Sequence, residues 1–137
     1  MKKQDKMIIT YQDLVEKKAH THLLKYFQKT HGESATVEDI FKKLEENRTY
    51  FSAWLAEEYK LTITCKAWYS DGQLWYNQNY KNGELHGNCK AWYYNGQLGF
   101  EHNYKNGRKH GSCKGWYSNG QLEYDKNYKN GVLLEIN

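Results

Sequence analysis

The chain has 137 residues, of which 39% are apolar, 26% charged and 16% aromatic, a balance that is typical of a folded globular protein and excludes a disordered chain. The formal net charge of +4 would help approach to an acidic partner but does not by itself indicate nucleic acid. No apolar run is long enough to span a bilayer, and Met7–Ile9 is too short for a signal-peptide core. Three cysteines are an odd number for a secreted disulfide framework, so we expect a cytoplasmic protein.

Residues 1–60 have the pattern of a helical region. The segment 10–13, Thr-Tyr-Gln-Asp, resembles a helix N-cap and predicts a helix that runs to about Lys29 and stops near Gly32. A second cap at 36–39 and a third near Thr49 predict two further helices, each with apolar residues at helical spacing. We expect these helices to pack on the first strand, or on one face, of the sheet that follows.

Residues 61–137 contain a repeat with a period of 24 residues. Its first strand carries Cys-Lys-Ala or Cys-Lys-Gly followed by Trp-Tyr, beginning at Cys65, Cys89 and Cys113. Each unit holds two Asn-Gly or Asp-Gly pairs, which suit type I′ turns between antiparallel strands. The sequence therefore predicts an α+β fold, with an N-terminal helical cap before an antiparallel β-meander of six or seven strands.

Two-residue loops would fix the register of the meander. A loop at Asn95-Gly96 and a second at Asn106-Gly107 predict the following pairs: Tyr93 with Leu98, Trp92 with Gly99, Ala91 with Phe100, Lys90 with Glu101, Phe100 with Cys113 and Gly99 with Lys114. One face then carries small residues beside large side chains, namely Cys89, Ala91, Tyr93, Leu98, Phe100 and Tyr104. The other face carries charged residues and Trp92, with ion pairs expected at Lys90–Glu101 and Lys114–Asp125.

The repeat unit resembles the MORN-type variant found in YwqK-family antitoxins of bacteria. The shared pattern is an aromatic strand, then Asn-Gly-Gln-Leu, then a strand ending in Tyr-Lys-Asn-Gly, and it covers about 61–137. The resemblance implies a non-catalytic sheet that binds another macromolecule. The more distant eukaryotic MORN repeats imply membrane lipids or protein scaffolding. The helical first part does not belong to the pattern.

Neither the cysteines nor the histidines predict a reactive site. Equivalent strands lie two strand spacings apart, roughly 10 Å, which is too far for a disulfide or a zinc site. His102 is expected beside Cys89 or Cys113, but no orienting acid or oxyanion hole accompanies that pair. We therefore predict no catalytic residue, no metal and no cofactor.

An aromatic and basic surface is the strongest candidate binding site. It consists of Trp68, Trp75, Trp92, Trp116, Lys66, Lys90 and Lys114. Trp75 is expected between Trp68 and Lys90, in ring and cation–π contact. Tryptophan is prominent in binding hot spots, and exposed apolar patches mark interaction sites. The alternative is that the helices cover this side and the tryptophans are core.

We therefore expect a non-enzymatic protein that neutralises a partner protein by surface occlusion, as an antitoxin does. One alternative is a phage- or mobile-element-borne inhibitor of a host defence enzyme, such as a CRISPR nuclease complex. A nucleic-acid platform is opposed by Glu101, Glu123 and Asp125, and a membrane-surface scaffold by the lack of a basic cluster. The edge segment 133–136 offers a further route, through strand pairing with a partner or a second copy.

Overall fold

The computed structural model describes residues 3–134, and the chain divides into two compact units between Phe51 and Ser52. The sequence interpretation placed this division at residue 60. The difference is the helix α4, Ser52–Glu58, which packs on the first two strands of the repeat sheet. No helix among residues 3–134 is long and apolar enough to cross a membrane.

The first unit is mainly helical and has a small two-stranded sheet. It begins with a 3-10 helix (Lys3–Lys6). The elements that follow are β1 (Ile8–Thr10), α1 (Tyr11–Glu16), α2 (Thr21–His31), β2 (Ser34–Thr36) and α3 (Val37–Glu46). β1 and β2 pair antiparallel. Its fully buried side chains form one apolar core of Ile9, Leu14, Leu23, Phe27, Val37, Ile40 and Leu44.

The predicted caps at Thr10 and Thr36 are present, whereas the cap predicted near Thr49 is wrong, because the Thr49 hydroxyl donates to the Leu44 carbonyl at 3.4 Å and α4 begins only at Ser52. The first predicted helix is two helices. The Thr10 hydroxyl accepts a hydrogen bond from the Asp13 N–H at 3.0 Å, and the Asp13 carboxylate accepts one from the Thr10 N–H at 2.9 Å. α1 nevertheless ends at Glu16 because Lys18 adopts a left-handed backbone, with φ 59°. A new cap follows at once, since His20 Nδ1 accepts from the His22 N–H at 3.2 Å and starts α2.

Among the described residues, the second unit contains an antiparallel sheet whose strands follow chain order and number eight, where six or seven were predicted, because β5 and β10 are additional two-residue strands. Its strands are β3 (Ile63–Trp68), β4 (Leu74–Lys81), β5 (Glu84–Leu85), β6 (Gly87–Trp92), β7 (Leu98–Lys105), β8 (Arg108–Trp116), β9 (Leu122–Lys129) and β10 (Val132–Leu133). β5 and β6 both pair with β4, and every other strand pairs with its chain neighbours. This confirms the predicted meander and the α+β class.

The Asn-Gly turns are of two kinds, although the sequence predicted one. Asn82, Asn106 and Asn130 have φ of 48° to 50° and each precedes a glycine of positive φ, as a type I′ turn requires. The loop at Asn95-Gly96 has three residues instead. Gly96 N–H donates to the Tyr93 carbonyl at 2.9 Å, and Tyr93 N–H donates to the Gln97 carbonyl at 2.8 Å. This is a type I turn closed by a left-handed glycine, and the Asn95 side chain supports it by accepting from the Gln97 N–H at 2.9 Å.

The longer loop changes the register beside it. Ala91 pairs with Phe100 and Lys90 with Glu101, as predicted, but Trp92 pairs with Leu98. The predicted pairs Tyr93–Leu98 and Trp92–Gly99 are therefore wrong, because Gly99 is the extra residue of a β-bulge. The bulge also moves Leu98 from the face of Phe100 to the face of Trp92.

The next hairpin junction is shifted by two residues. Phe100 pairs with Gly115 and Glu101 with Lys114, so the predicted pairs of Phe100 with Cys113 and of Gly99 with Lys114 are wrong. The irregularity lies between His102 and Tyr104. A shift of two leaves each side chain on its own face, whereas a shift of one would exchange the faces.

Candidate functional site

One face of the sheet is partly covered by the chain itself. We call it the cysteine face, since Cys65, Cys89 and Cys113 lie on it and are 0%, 1% and 0% exposed. α4 packs on the first hairpin, where the Ser52 hydroxyl donates to the Lys66 carbonyl at 3.2 Å. The Tyr80 hydroxyl donates to the Glu57 carboxylate at 3.1 Å and adds a second link between α4 and the sheet.

Half-buried aromatic rings line the cysteine face of the later hairpins. His102, which was predicted beside Cys89 or Cys113, pairs with both, and it stacks on Phe100 with ring centroids 4.5 Å apart. Its Nε2 is 2.6 Å from the Tyr124 hydroxyl. Burial, aided by the charge of Lys109, lowers the pKa of His102 to about 4, so the imidazole is neutral at pH 7.

Burial holds the Cys65 and Cys89 thiols in their protonated form. Burial raises the pKa of Cys65 to about 12 and also raises the pKa of Cys89. A thiol with a raised pKa is a weak nucleophile and a poor metal ligand. Within residues 3–134, no group of three or more His, Cys, Asp or Glu side chains is placed to hold a metal ion.

The opposite face carries six of the seven predicted binding residues. We call them the Trp–Lys row: Trp68, Trp92, Trp116, Lys66, Lys90 and Lys114. All six are half-buried. The predicted ion pairs are confirmed, with Lys90 Nζ 3.4 Å from Glu101 and Lys114 Nζ 3.9 Å from Asp125. These carboxylates compensate part of the positive charge, so the row is more aromatic than basic.

A cleft lies beside Trp92 in the Trp–Lys row. Trp92 lines a cavity of about 270 Å³ with Gly96 of its own hairpin and with Gln73 and Leu74 of the preceding hairpin. Leu74 lies there because it pairs with Trp68 across the bulged hairpin. The Trp–Lys row is therefore not flat at Trp92, which borders residues at the end of the preceding hairpin's loop.

Trp75 does not belong to the Trp–Lys row, which corrects the prediction for this residue. It is the extra residue of the first bulge, and its ring stacks on Tyr69 at 5.7 Å and meets Tyr76 edge-on at 5.4 Å. Tyr76 pairs with the buried Ala67, so these contacts place Trp75 at the rim of the cysteine face. The expected ring contact with Trp68 and cation–π contact with Lys90 are replaced by this tyrosine cluster.

Sequence reasoning missed the residues that join one hairpin to the next. The Tyr69 hydroxyl donates to the Trp92 carbonyl at 2.5 Å, and the Tyr93 hydroxyl donates to the Trp116 carbonyl at 2.7 Å. At the other end, His86 Nδ1 accepts from the Asn106 N–H at 3.2 Å, and His110 Nδ1 accepts from the Asn130 N–H at 3.1 Å. The signal was available, because Tyr69, Tyr93 and Tyr117 recur with the 24-residue period.

Comparison with known families agrees with this geometry. Three segments match the family model described as a MORN repeat variant: residues 61–82, 85–106 and 109–130. Each segment contains one strand–loop–strand hairpin of the sheet. No curated protein and no solved structure matches the chain. The second unit of this chain is therefore built from three consecutive repeats of the MORN variant.

Proposed function

We propose that this chain is a non-catalytic inhibitor that binds a partner protein through the Trp–Lys row and neutralises it by covering its working surface, as an antitoxin does. One observation carries the proposal. On the cysteine face the cysteines and His102 are buried and α4 packs on the first hairpin, whereas the opposite face repeats a half-exposed tryptophan beside a lysine in each hairpin.

The dimensions of the row suit a protein interface. Successive tryptophans lie two strand spacings apart, roughly 10 Å, so three of them extend over about 20 Å, comparable with one side of a standard interface. Tryptophan buries a large area while losing little side-chain entropy. A hot-spot residue of this type contributes about 2 kcal/mol or more.

The charge of the row favours a protein over a nucleic acid. Lys90 and Lys114 already have carboxylate partners on the same face, and each phosphate contact would have to displace one of them. We expect a partner surface with exposed apolar groups and scattered acidic groups. We also propose a cytoplasmic location, which the three free thiols support.

Capture of the partner tests the proposal. The tagged chain, a Trp92→Ala, Trp116→Ala double variant and a Trp75→Ala control are each exposed to the same lysate, and retained proteins are identified by mass spectrometry. The expected partner is retained by the wild type and by the control but not by the double variant. Its activity, measured with and without the chain, should fall on binding.

A partner retained equally by all three proteins would refute the Trp–Lys row as the interface. A partner whose activity is unchanged by saturating chain would refute the inhibitory function. The identity of the captured protein distinguishes the two alternatives. A captured toxin would identify the chain as an antitoxin, and a captured host defence enzyme would identify it as a phage- or mobile-element-borne inhibitor.

A further inference from the structure

Among residues 3–134, part of the outer edge of β9 has backbone groups with no strand partner. β10 pairs with Tyr128 and Lys129, and the Leu134 N–H donates to the Asn127 carbonyl at 2.8 Å. Backbone groups alternate in direction along a strand, so the N–H and C=O of Asp125 point to the same edge as the carbonyl of Asn127. Within residues 3–134, no strand pairs with this edge between Leu122 and Asp125.

The interior hairpins show which residue pairs with the position equivalent to Asp125. Glu101 lies between two lysines, paired with Lys90 on one side and with Lys114 on the other. Asp125 is the equivalent residue of the last hairpin and is paired with Lys114 alone. The open position beside Asp125 is therefore the one that a lysine occupies in the interior of the sheet.

Two further interior contacts indicate which residues would fit beside Tyr124 and Tyr117. Phe100 is the equivalent of Tyr124, and it pairs with Gly115, which has no side chain. We therefore expect a small residue in a strand that pairs with Tyr124. The Tyr93 hydroxyl donates to the carbonyl of Trp116 on the next hairpin. The equivalent Tyr117 is 50% exposed and has no following hairpin among the described residues.

We propose that the edge of β9 binds an extended segment of a partner protein in which a lysine is flanked by small residues and followed by an aromatic residue. The segment would add as an antiparallel strand, with its lysine beside Asp125, and would extend the Trp–Lys row by one strand. The inference concerns backbone pairing at the sheet edge, whereas the proposed function concerns the exposed side chains of the row, and it does not depend on that function.

A second copy of the chain fits this edge less well than a partner does. Antiparallel self-pairing centred on Tyr124 places Glu123 against Asp125 of the other copy, and centring on Asp125 brings two aspartates together. The chain's own Cys65–Trp68 segment has the right sequence pattern, but its Lys66 carbonyl already accepts the Ser52 hydroxyl beneath α4.

A peptide with the sequence of residues 109–117, carrying Cys113→Ser and a fluorescent label, tests the proposal by anisotropy titration against the full chain. A second peptide also carries Lys114→Glu. Wild-type protein should bind the lysine peptide at least about tenfold more tightly than the glutamate peptide. Asp125→Lys should reverse this preference, and Asp125→Asn, which preserves the shape, should nearly abolish it.

The surface variant Glu38→Lys makes the same charge change in the first unit and should keep the wild-type preference. The Trp92→Ala, Trp116→Ala protein should bind the lysine peptide normally, which separates this inference from the proposed function. Absence of saturable binding, or a preference unaffected by Asp125→Lys, would overturn the proposal. Sedimentation that shows a dimer of the free chain, dissociated by Asp125→Lys, would also overturn it by identifying a second copy as the occupant.

Discussion

The neutral imidazole of His102 makes the sheet sensitive to acid, and the effect has a definite sign. The ordinary imidazole pKa is 6.5, and that of His102 in the fold is about 4. Between these values the unfolded chain binds a proton that the folded chain does not bind. The free energy of unfolding therefore falls as the pH decreases from 6.5 to 4 and levels off below, where both states are protonated.

The size of the effect follows from the same two values. A difference of one pKa unit corresponds to about 1.4 kcal/mol, so the interval from 6.5 to about 4 corresponds to a loss of up to about 3 kcal/mol. His102 is 7% exposed, so solvent screens this difference little. The loss is a large fraction of the 5–15 kcal/mol by which domains are typically stable, roughly a fifth or more.

His102→Gln supplies the matched control, because the equivalent position of the first repeat is Gln78, which accepts from the Tyr80 hydroxyl at 3.3 Å. All five tryptophans lie in residues 52–137, so tryptophan fluorescence reports on the second unit alone. Urea unfolding of both proteins at a series of pH values gives the difference directly. As the pH falls from 6.5 to 4, the free energy of unfolding of the wild type should decrease relative to that of the variant. Unfolding free energies that change in parallel with pH would refute the account of His102.

Two further predictions concern the cysteine face. Gly115→Ala should destabilise the sheet by about 1–3 kcal/mol, because the added Cβ would lie 2.3 Å from the Tyr124 ring. An unchanged midpoint of urea unfolding would contradict this prediction. The three thiols are free and buried, and the pKa of Cys65 is raised to about 12, so they should react with a disulfide reagent only as fast as the sheet opens. Rapid labelling of the native protein would show a reactive site.

The repeat architecture could be predicted because its determinants are local. Each hairpin carries its own turn residues and its own strand pattern, and the 24-residue period shows which positions are equivalent. The strand order, the pairing of Lys90 with Glu101 and the place of His102 between two cysteines all follow from that local pattern. The caps at Thr10 and Thr36 could be predicted for the same reason.

The errors share a physical cause. Asn-Gly suits a type I′ turn and also a three-residue loop with a left-handed glycine, and the sequence alone does not decide between them. One extra loop residue creates a bulge, and a bulge moves one side chain to the other face. Trp75 was misplaced for this reason, and so was Leu98. β1 and β2 were missed because three-residue strands carry too little periodicity to detect.

The central claim is that the Trp–Lys row is the binding surface, and a titration of the purified partner with matched tryptophan variants tests it most directly. Trp92→Ala, Trp116→Ala should keep the circular dichroism of a folded sheet and weaken binding by about 2 kcal/mol or more per residue, roughly thirtyfold each. Trp75→Ala, which removes a ring from the other face, should bind as wild type does. A folded double variant with wild-type affinity, or a Trp75→Ala protein that loses binding, would contradict the claim.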